Sequence, residues 1–192
     1  MPRSLEQLLG TCFLALAATI SIVPVTEASS PAKPTRYRVD VPDSSIDIGA
    51  AKVSVRASAP AVEKAVLEFN AYSEMISKFK RSKVVGKSSA HTDVYLQVPI
   101  LNGAAKVWAV VRFSAPTREG GTTVVKGRML QGNVDVLDAE WRIRPVSEDR
   151  TELHLRMRMV PKFPAPGGLV TDEVAYAADQ AVRGIRTAVE RR

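Results

Sequence analysis

The longest hydrophobic pattern in the chain runs from Gly168 to Arg192 and has the period of a helix. Its apolar residues recur three and four positions apart, so they share one helix face: Val170, Val174, Ala177, Ala178, Ala181, Ile185, Ala188 and Val189. A long helix with one apolar face needs a broad apolar surface to lie on. We therefore expect it to be held by a curved sheet that the preceding strands supply, with any ligand bound between the two.

Between residue 80 and this helix the hydrophobic period changes to two, which predicts strands. Together with an earlier alternating segment the predicted strands cover residues 52–57, 82–87, 92–100, 104–114, 122–131, 134–145 and 151–160. Two short helices, one opening at Ser58-Ala59-Pro60 and one over residues 73–79, follow the first strand. The short turns between later strands make neighbours antiparallel. The element order predicts an α+β fold with a sheet of about seven strands.

The alternation divides the predicted sheet into an apolar inner face and a basic outer face. Inner residues and residues of the closing helix are the candidates to line a cavity: Phe113, Met129, Trp141, Met157, Met159, Tyr176, Ala177 and Ala181. The thioethers would make the wall deformable, and the alanines would leave room for a ligand. The same residues could instead form an ordinary core. Phe163, in a proline-rich loop before the helix, is a candidate for the cavity mouth.

The outer face carries a cluster of cations on adjacent strands. Beside Lys106 and Arg112, the residues assigned to this basic face are Lys126, Arg128, Arg142, Arg144, Arg156 and Arg158. Such side chains repel one another unless something neutralises them, and the whole chain has a net charge of +7. One interpretation is docking on an anionic membrane or an acidic partner. The other is a solvated face partly balanced by Asp138 and Glu140.

The N-terminus predicts export. Arg3 precedes an apolar run that ends before small residues at Ala28, the pattern of a secretory signal peptide over residues 1–28. The protein would then be periplasmic or secreted, or membrane-anchored if the segment is not cleaved. We expect a linker with a possible edge segment over residues 29–51 and one domain over residues 52–192. An exported protein seldom meets nucleic acid, so no nucleic-acid partner is expected. The sequence does not indicate an oligomeric state.

No catalytic constellation stands out. His91 falls in a predicted turn and His154 on the outer face, away from a cavity. No metal-ligand spacing and no dinucleotide or phosphate-loop motif is present, so neither a metal nor a cofactor is expected. The carboxylates of Asp135, Asp138 and Glu140 are predicted to be solvated. Whether the protein is an enzyme stays open, with the residues favouring a binding protein.

Residues 53–75 resemble the opening of the START-like (SRPBCC) superfamily, in its polyketide-cyclase and coenzyme-Q-binding branch. The matching positions are Ala59-Pro60, Val62, Val66, Glu68-Phe69 and Tyr72-Ser73. Three positions depart from the usual pattern: Pro60 is one residue closer to the Phe, Glu63 replaces a common aromatic, and Ser73 replaces a proline. With the element order and closing helix included, the resemblance extends from Lys52 to Arg192.

The resemblance implies a helix-grip fold whose apolar cavity holds a lipid, quinone, sterol or aromatic polyketide. The function expected from it is that of an exported binder or carrier of a hydrophobic small molecule. Two alternatives remain at this point: an envelope interaction module that uses the basic face, and an enzyme of the cyclase or dehydratase type.

Overall fold

The computed structural model describes residues 33–100 and 105–191, which form one antiparallel sheet and the helices that cover it. The strands are β1 (Thr35–Val39), β2 (Ile48–Val55), β3 (Arg81–Lys87), β4 (His91–Ile100), β5 (Ala105–Ser114), β6 (Thr117–Glu119), β7 (Thr122–Gly132), β8 (Val134–Ser147) and β9 (Arg150–Pro161). The helices are α1 (Ala59–Leu67), α2 (Tyr72–Met75) and α3 (Gly167–Glu190), with a 3-10 turn at Phe69–Ala71. None of these described helices combines the length and apolarity needed to span a bilayer.

The sheet has the order β1-β2-β9-β8-β7-β5-β4-β3, with β6 paired to β7. All of its pairings are antiparallel. Helix α3 packs on β2, β9 and β1, at one end of the strand order. A space lined by β4 and β5 on one side and by the first half of α3 on the other remains between the helix and the sheet. The predicted α+β architecture, a curved antiparallel sheet that holds a long C-terminal helix, is confirmed.

The strand count is higher than predicted, because the described part of the chain has nine strands where about seven were expected. Strand β1 lies inside the segment expected to be a linker and pairs with β2 from Thr35 opposite Lys52 to Val39 opposite Ile48. The possible edge segment also becomes part of β2, which begins at Ile48 rather than at residue 52. Strand β6 is short and pairs with the start of β7, with Thr117 opposite Val124. The limits of the signal peptide and of the domain stay predictions.

Helix α2 is shorter than predicted because the chain turns extended at Ile76. The side chain of Ile76 is fully buried, and that of Tyr72 is 2% exposed. Burying both pulls the backbone out of the helix one turn after it begins. A register shift interrupts the pairing of β8 with β9 between Val134 and Val136.

Two backbone contacts without side chains between them hold α3 on the sheet. Gly49 of β2 lies against the backbone of Ala175 and Thr171 in the first half of the helix. Gly184, in the second half, lies against the carbonyl oxygen of Met75. Because neither glycine leaves room for a Cβ atom, both ends of α3 are fixed by close packing.

Candidate functional site

A cavity of about 110 Å³ lies between the first half of α3 and the inner face of the sheet. Its wall is almost wholly apolar, and the residues that line it are Tyr72, Lys78, Phe79, Leu96, Val98, Pro99, Ile100, Val107, Ala109, Val111, Phe113, Leu137, Ala139, Trp141, Leu155, Met157, Met159, Glu173, Val174, Ala177 and Ala181. The strands contribute through alternate positions, so the period of two in the sequence builds this wall directly. Helix α3 contributes Glu173, Val174 and the small side chains of Ala177 and Ala181 to the wall.

The one buried hydroxyl among the described residues of the wall is already bonded within the protein. Tyr72 donates its O–H to the carbonyl oxygen of Val66 at 2.6 Å, and its ring packs edge-on against that of Trp141, with 6.4 Å between centroids. Burial raises the pKa of Tyr72, and Trp141 opposes this only in part. The phenol therefore stays neutral at neutral pH, and its proton is hydrogen-bonded to the backbone carbonyl of Val66.

Lys78 and Glu173 are the charged side chains in the described wall. Both are half-buried, and no ion pair within 4.0 Å joins them. The Lys78 ammonium lies 4.6 Å from the ring centroid of Tyr176, which is on the same helix as Glu173. These two charges give the cavity a polar edge to which a polar end group of a ligand could bind.

Six of the eight residues predicted to line a cavity are in its wall: Phe113, Trp141, Met157, Met159, Ala177 and Ala181. Whether they contact a ligand stays a prediction. The other two lie elsewhere. Tyr176 is 38% exposed on the outside of α3, between Lys78 and Arg36. Met129 packs on the edge of the core, where its sulfur lies next to Gly132, beside a register shift between β5 and β7.

Phe163 does not line the cavity; its side chain is 51% exposed in the loop between β9 and α3. The wall also includes residues that the sequence analysis did not select, among them Lys78, Phe79, Pro99, Ile100 and Glu173. Phe79 could have been found, because it ends an apolar triplet with Met75 and Ile76. Lys78 and Glu173 carry no signal in the sequence that separates them from other surface charges.

The basic face is crossed by ion pairs and is not a continuous cationic surface. Carboxylates lie within 4.0 Å of most of the predicted basic residues: Lys126 and Arg142 near Glu119, Arg142 and Arg156 near Glu140, Arg128 near Asp138, and Arg144 near Glu152. Arg158 instead donates to the hydroxyl of Ser44 at 3.1 Å. The register explains this pattern, since Asp138 and Glu140 of β8 lie directly opposite Arg128 and Lys126 of β7.

Neither histidine is in the cavity wall. His91 is the first residue of β4, not part of a turn, and hydrogen-bonds Ser88. His154 is on the outer face of β9, as the alternation predicts. Within residues 33–100 and 105–191 no three His, Cys, Asp or Glu side chains are close enough to hold a metal ion.

The sequence profile of the family described as polyketide cyclase / dehydrase and lipid transport matches residues 55–183. This match covers more than half of the chain and runs from the end of β2 into the second half of α3. The chain belongs to this family. It is thereby a member of the START-like (SRPBCC) superfamily, and the resemblance seen in the sequence is confirmed. No curated protein is significantly similar to the chain in sequence.

Solved structures of the START superfamily share this fold. A START superfamily protein from Mycobacterium smegmatis has a TM-score of 0.65 at 19% identity, over 75% of this chain and 97% of that one. A STAR-related lipid transfer protein fragment from Xanthomonas axonopodis has a TM-score of 0.70 at 16% identity, over 84% and 98%. The Zhui aromatase/cyclase from Streptomyces sp. R1128 has a TM-score of 0.60 at 19% identity, over 76% and 94%. At these identities the likeness shows the helix-grip fold alone.

Proposed function

We propose that the protein binds and carries a hydrophobic small molecule in the cavity between α3 and the sheet. The observation that carries this proposal is the composition of the wall, where aromatic, aliphatic and thioether side chains face small alanines on α3. Apolar pockets with a few polar groups at one edge are typical of sites for small ligands. The family description includes lipid transport, and the similar protein from Xanthomonas axonopodis is called a lipid transfer protein.

The ligand in this proposal has an apolar body and a small polar end. The body would contact residues such as Trp141, Met157 and Met159, and the polar end would reach Lys78 and Glu173. A lipid, a quinone or a polyketide-like molecule meets this description. The wall contains too few polar groups to distinguish among them.

Binding requires the cavity to widen, because 110 Å³ is below the roughly 300–1,000 Å³ that ligand pockets occupy. Helix α3 is held by backbone contacts at Gly49 and Gly184, so it is the less movable wall. Phe79 and Val98 are only half-buried, and Met157 can change rotamer at low cost. We therefore expect Met157 and the part of the wall formed by Phe79 and β4 to yield to the ligand while α3 stays in place.

The cyclase or dehydratase alternative is less well supported by the wall. Such chemistry needs a group that can give or take a proton at the substrate. The buried phenol of Tyr72 is neutral and donates to Val66, which leaves Lys78 and Glu173 at the cavity edge. The alternative of docking through the basic face is weakened by the carboxylates that pair with Lys126, Arg128 and Arg142.

Export is part of the proposal, although residues 1–28 lie outside the described part of the chain. The support for it is the sequence pattern of a cleaved signal peptide. Intact-mass measurement of the protein from its own organism tests this. A mass that lacks residues 1–28 supports export, and a mass that retains them favours an anchored or unexported protein.

Titration with the uncharged apolar dye N-phenyl-1-naphthylamine tests the cavity. We expect saturable binding to the native chain and at least tenfold weaker binding to Ala177→Leu, because the larger side chain fills the space under α3. The matched control is Ala61→Leu, the same change at an exposed position of α1. Equal binding by Ala177→Leu and native protein would contradict the assignment of the cavity.

A further inference from the structure

A second groove, of about 610 Å³, lies on the outer face of the sheet near its β1 edge. It is separated from the cavity by the sheet itself. The residues that line it are Thr35, Tyr37, Lys52, Arg142, His154 and Arg156. They come from four strands, β1, β2, β8 and β9, and no carboxylate is part of the described lining. The groove is a cluster of cations and hydrogen-bonding groups outside the family's cavity.

The strand register sets three basic side chains side by side in this groove. Lys52 of β2 lies directly opposite His154 of β9, and His154 lies directly opposite Arg142 of β8. Lys52 and Arg142 therefore stand on either side of His154 in one row across β2, β9 and β8. No carboxylate occupies this row on β2, β8 or β9.

Nearby carboxylates compensate these cations only in part. Glu140 is shared, since its Oε1 atom lies 3.4 Å from Arg142 and 3.6 Å from Arg156. Arg142 also lies 3.3 Å from Glu119, which pairs with Lys126 as well. Lys52 has no carboxylate within 4.0 Å among the described residues. Three cations, Lys126, Arg142 and Arg156, therefore share two carboxylates, and Lys52 contacts neither of them.

The ring of His154 is held in one orientation at the floor of the groove. A carboxylate only accepts hydrogen bonds, so His154 Nε2 donates to Glu152 Oε1 at 2.7 Å. On the other side of the ring, Nδ1 shares a hydrogen bond of 3.2 Å with the Tyr37 hydroxyl. Burial raises the pKa of Tyr37, with Arg156 acting in the opposite direction, so the phenol keeps its proton at neutral pH. The hydrogen bonds with Glu152 and Tyr37 therefore fix the His154 ring, and Lys52, Arg142 and Arg156 lie around it.

We propose that this groove binds an oxyanion of the phosphate type, whose oxygens accept hydrogen bonds from Lys52, Arg142 and Arg156. Charge-assisted hydrogen bonds from Lys and Arg are the strong contacts of phosphate sites. The bound anion neutralises the charges of Lys52 and Arg142 on either side of His154. Because the sheet separates the two sites, this proposal is independent of the hydrophobic ligand.

The phosphate chemistry has two possible sources, a soluble phosphate ester and the head group of an anionic lipid. Three probes separate them: inorganic phosphate, glycerol 3-phosphate, and phosphatidylcholine vesicles that contain phosphatidic acid. Binding of the soluble probes without the vesicles assigns the site to a soluble ester. Binding of the vesicles as well, with loss in the same variants, assigns it to a lipid head group.

Calorimetric titration of the full chain at fixed ionic strength tests the site. We expect phosphate to bind more tightly than chloride, and Lys52→Ala and Arg142→Gln each to weaken binding by about tenfold or more. Lys52 is exposed and makes no ion pair among the described residues, so its loss should leave the fold intact. The matched control is Lys83→Ala, an exposed lysine on β3, at the far edge of the sheet.

Two results would overturn the proposal. One is that phosphate binds no more tightly than chloride. The other is that Lys52→Ala, with an unchanged urea unfolding midpoint, binds phosphate as well as the native chain and Lys83→Ala do. Arg142→Gln also removes pairs with Glu119 and Glu140, so its binding result counts only together with its unfolding midpoint.

Discussion

Gly49 in β2 lies directly against Ala175 in α3, with no side chain between the strand and the helix. A methyl group at position 49 would come within 2.7 Å of the Thr171 carbonyl oxygen and 3.0 Å of the Ala175 Cα atom. These are backbone atoms, so they cannot move aside as a flexible side chain would. The contact sets how close α3 lies to the sheet and fixes one wall of the cavity.

Gly49→Ala is therefore expected to lower the free energy of unfolding by about 1–3 kcal/mol, the usual cost of overpacking. Urea denaturation measures this change. The control is Gly168→Ala, at a helix position of α3 where a methyl group would have nothing within 4 Å. That variant should be neutral or slightly more stable, by at most about 1 kcal/mol. Equal stability of the two variants would show that the backbone contact is not tight.

The two tryptophans should respond differently to a ligand. Trp141 is 2% exposed and lines the cavity, whereas Trp108 stacks on Tyr95 on the outer face, with 6.3 Å between ring centroids. In a Trp108→Phe variant, binding of N-phenyl-1-naphthylamine should quench the remaining tryptophan emission strongly. In Trp141→Phe, the remaining emission should change much less at equal dye occupancy. Equal quenching in both variants would place the dye outside the cavity.

Loss of the Tyr72 hydroxyl should destabilise the protein. Tyr72→Phe leaves the Val66 carbonyl without the buried hydrogen bond from the phenol. We expect a loss of about 1–3 kcal/mol in the free energy of unfolding. Tyr95→Phe makes the same chemical change at a half-buried outer position, where the structure describes no hydrogen bond of the phenol; it should cost much less. Equal costs would contradict the buried hydrogen bond.

The ion pair between Asp93 and Arg112 should make stability depend on pH. Arg112 donates to both Asp93 oxygens, at 2.7 and 2.8 Å, and this hydrogen bonding lowers the pKa of the Asp93 carboxyl. Because the folded-state pKa lies below the unfolded value of about 3.9, the stabilisation is complete above that value. It is lost as the pH falls through the lower, folded-state pKa.

Comparing Asp93→Asn with the native chain by urea denaturation between pH 7 and pH 2 measures this effect. The native chain should be more stable near neutral pH, and the difference should disappear at the acidic end. Asp135→Asn, at an exposed carboxylate with no ion pair in the described residues, serves as the control. A difference that persists unchanged at the acidic end would show that the ion pair does not cause it.

The inner wall of the sheet could be predicted because strand alternation determines it almost by itself. Phe113, Trp141, Met157 and Met159 occupy inward positions of strands that the sequence identified, and the structure places all four in the cavity wall. Strand β1 could not be found in this way. Its charged residues Arg36 and Arg38 are exposed at an edge, so the segment has the composition of a linker.

The two residues wrongly assigned to the cavity lie outside it for different physical reasons. Tyr176 was selected for its aromatic ring. It follows Val174 by two residues, which is a rotation of about 200° around the helix axis, so its side chain lies on the outside of α3. Met129 does point inward, yet the register shift between Val110 and Val111 displaces its end of β7 from the cavity. The polar edge at Lys78 and Glu173 depends on contacts between distant segments, which no local pattern encodes.

Native mass spectrometry of the full chain purified gently from its own organism tests the central claim most directly. We predict a bound molecule of defined mass that organic extraction removes and identifies as a hydrophobic compound, and that is absent from Ala177→Leu but present in Ala61→Leu. A native chain that carries no such molecule, and that takes up no lipid or quinone when these are supplied, would contradict the carrier function.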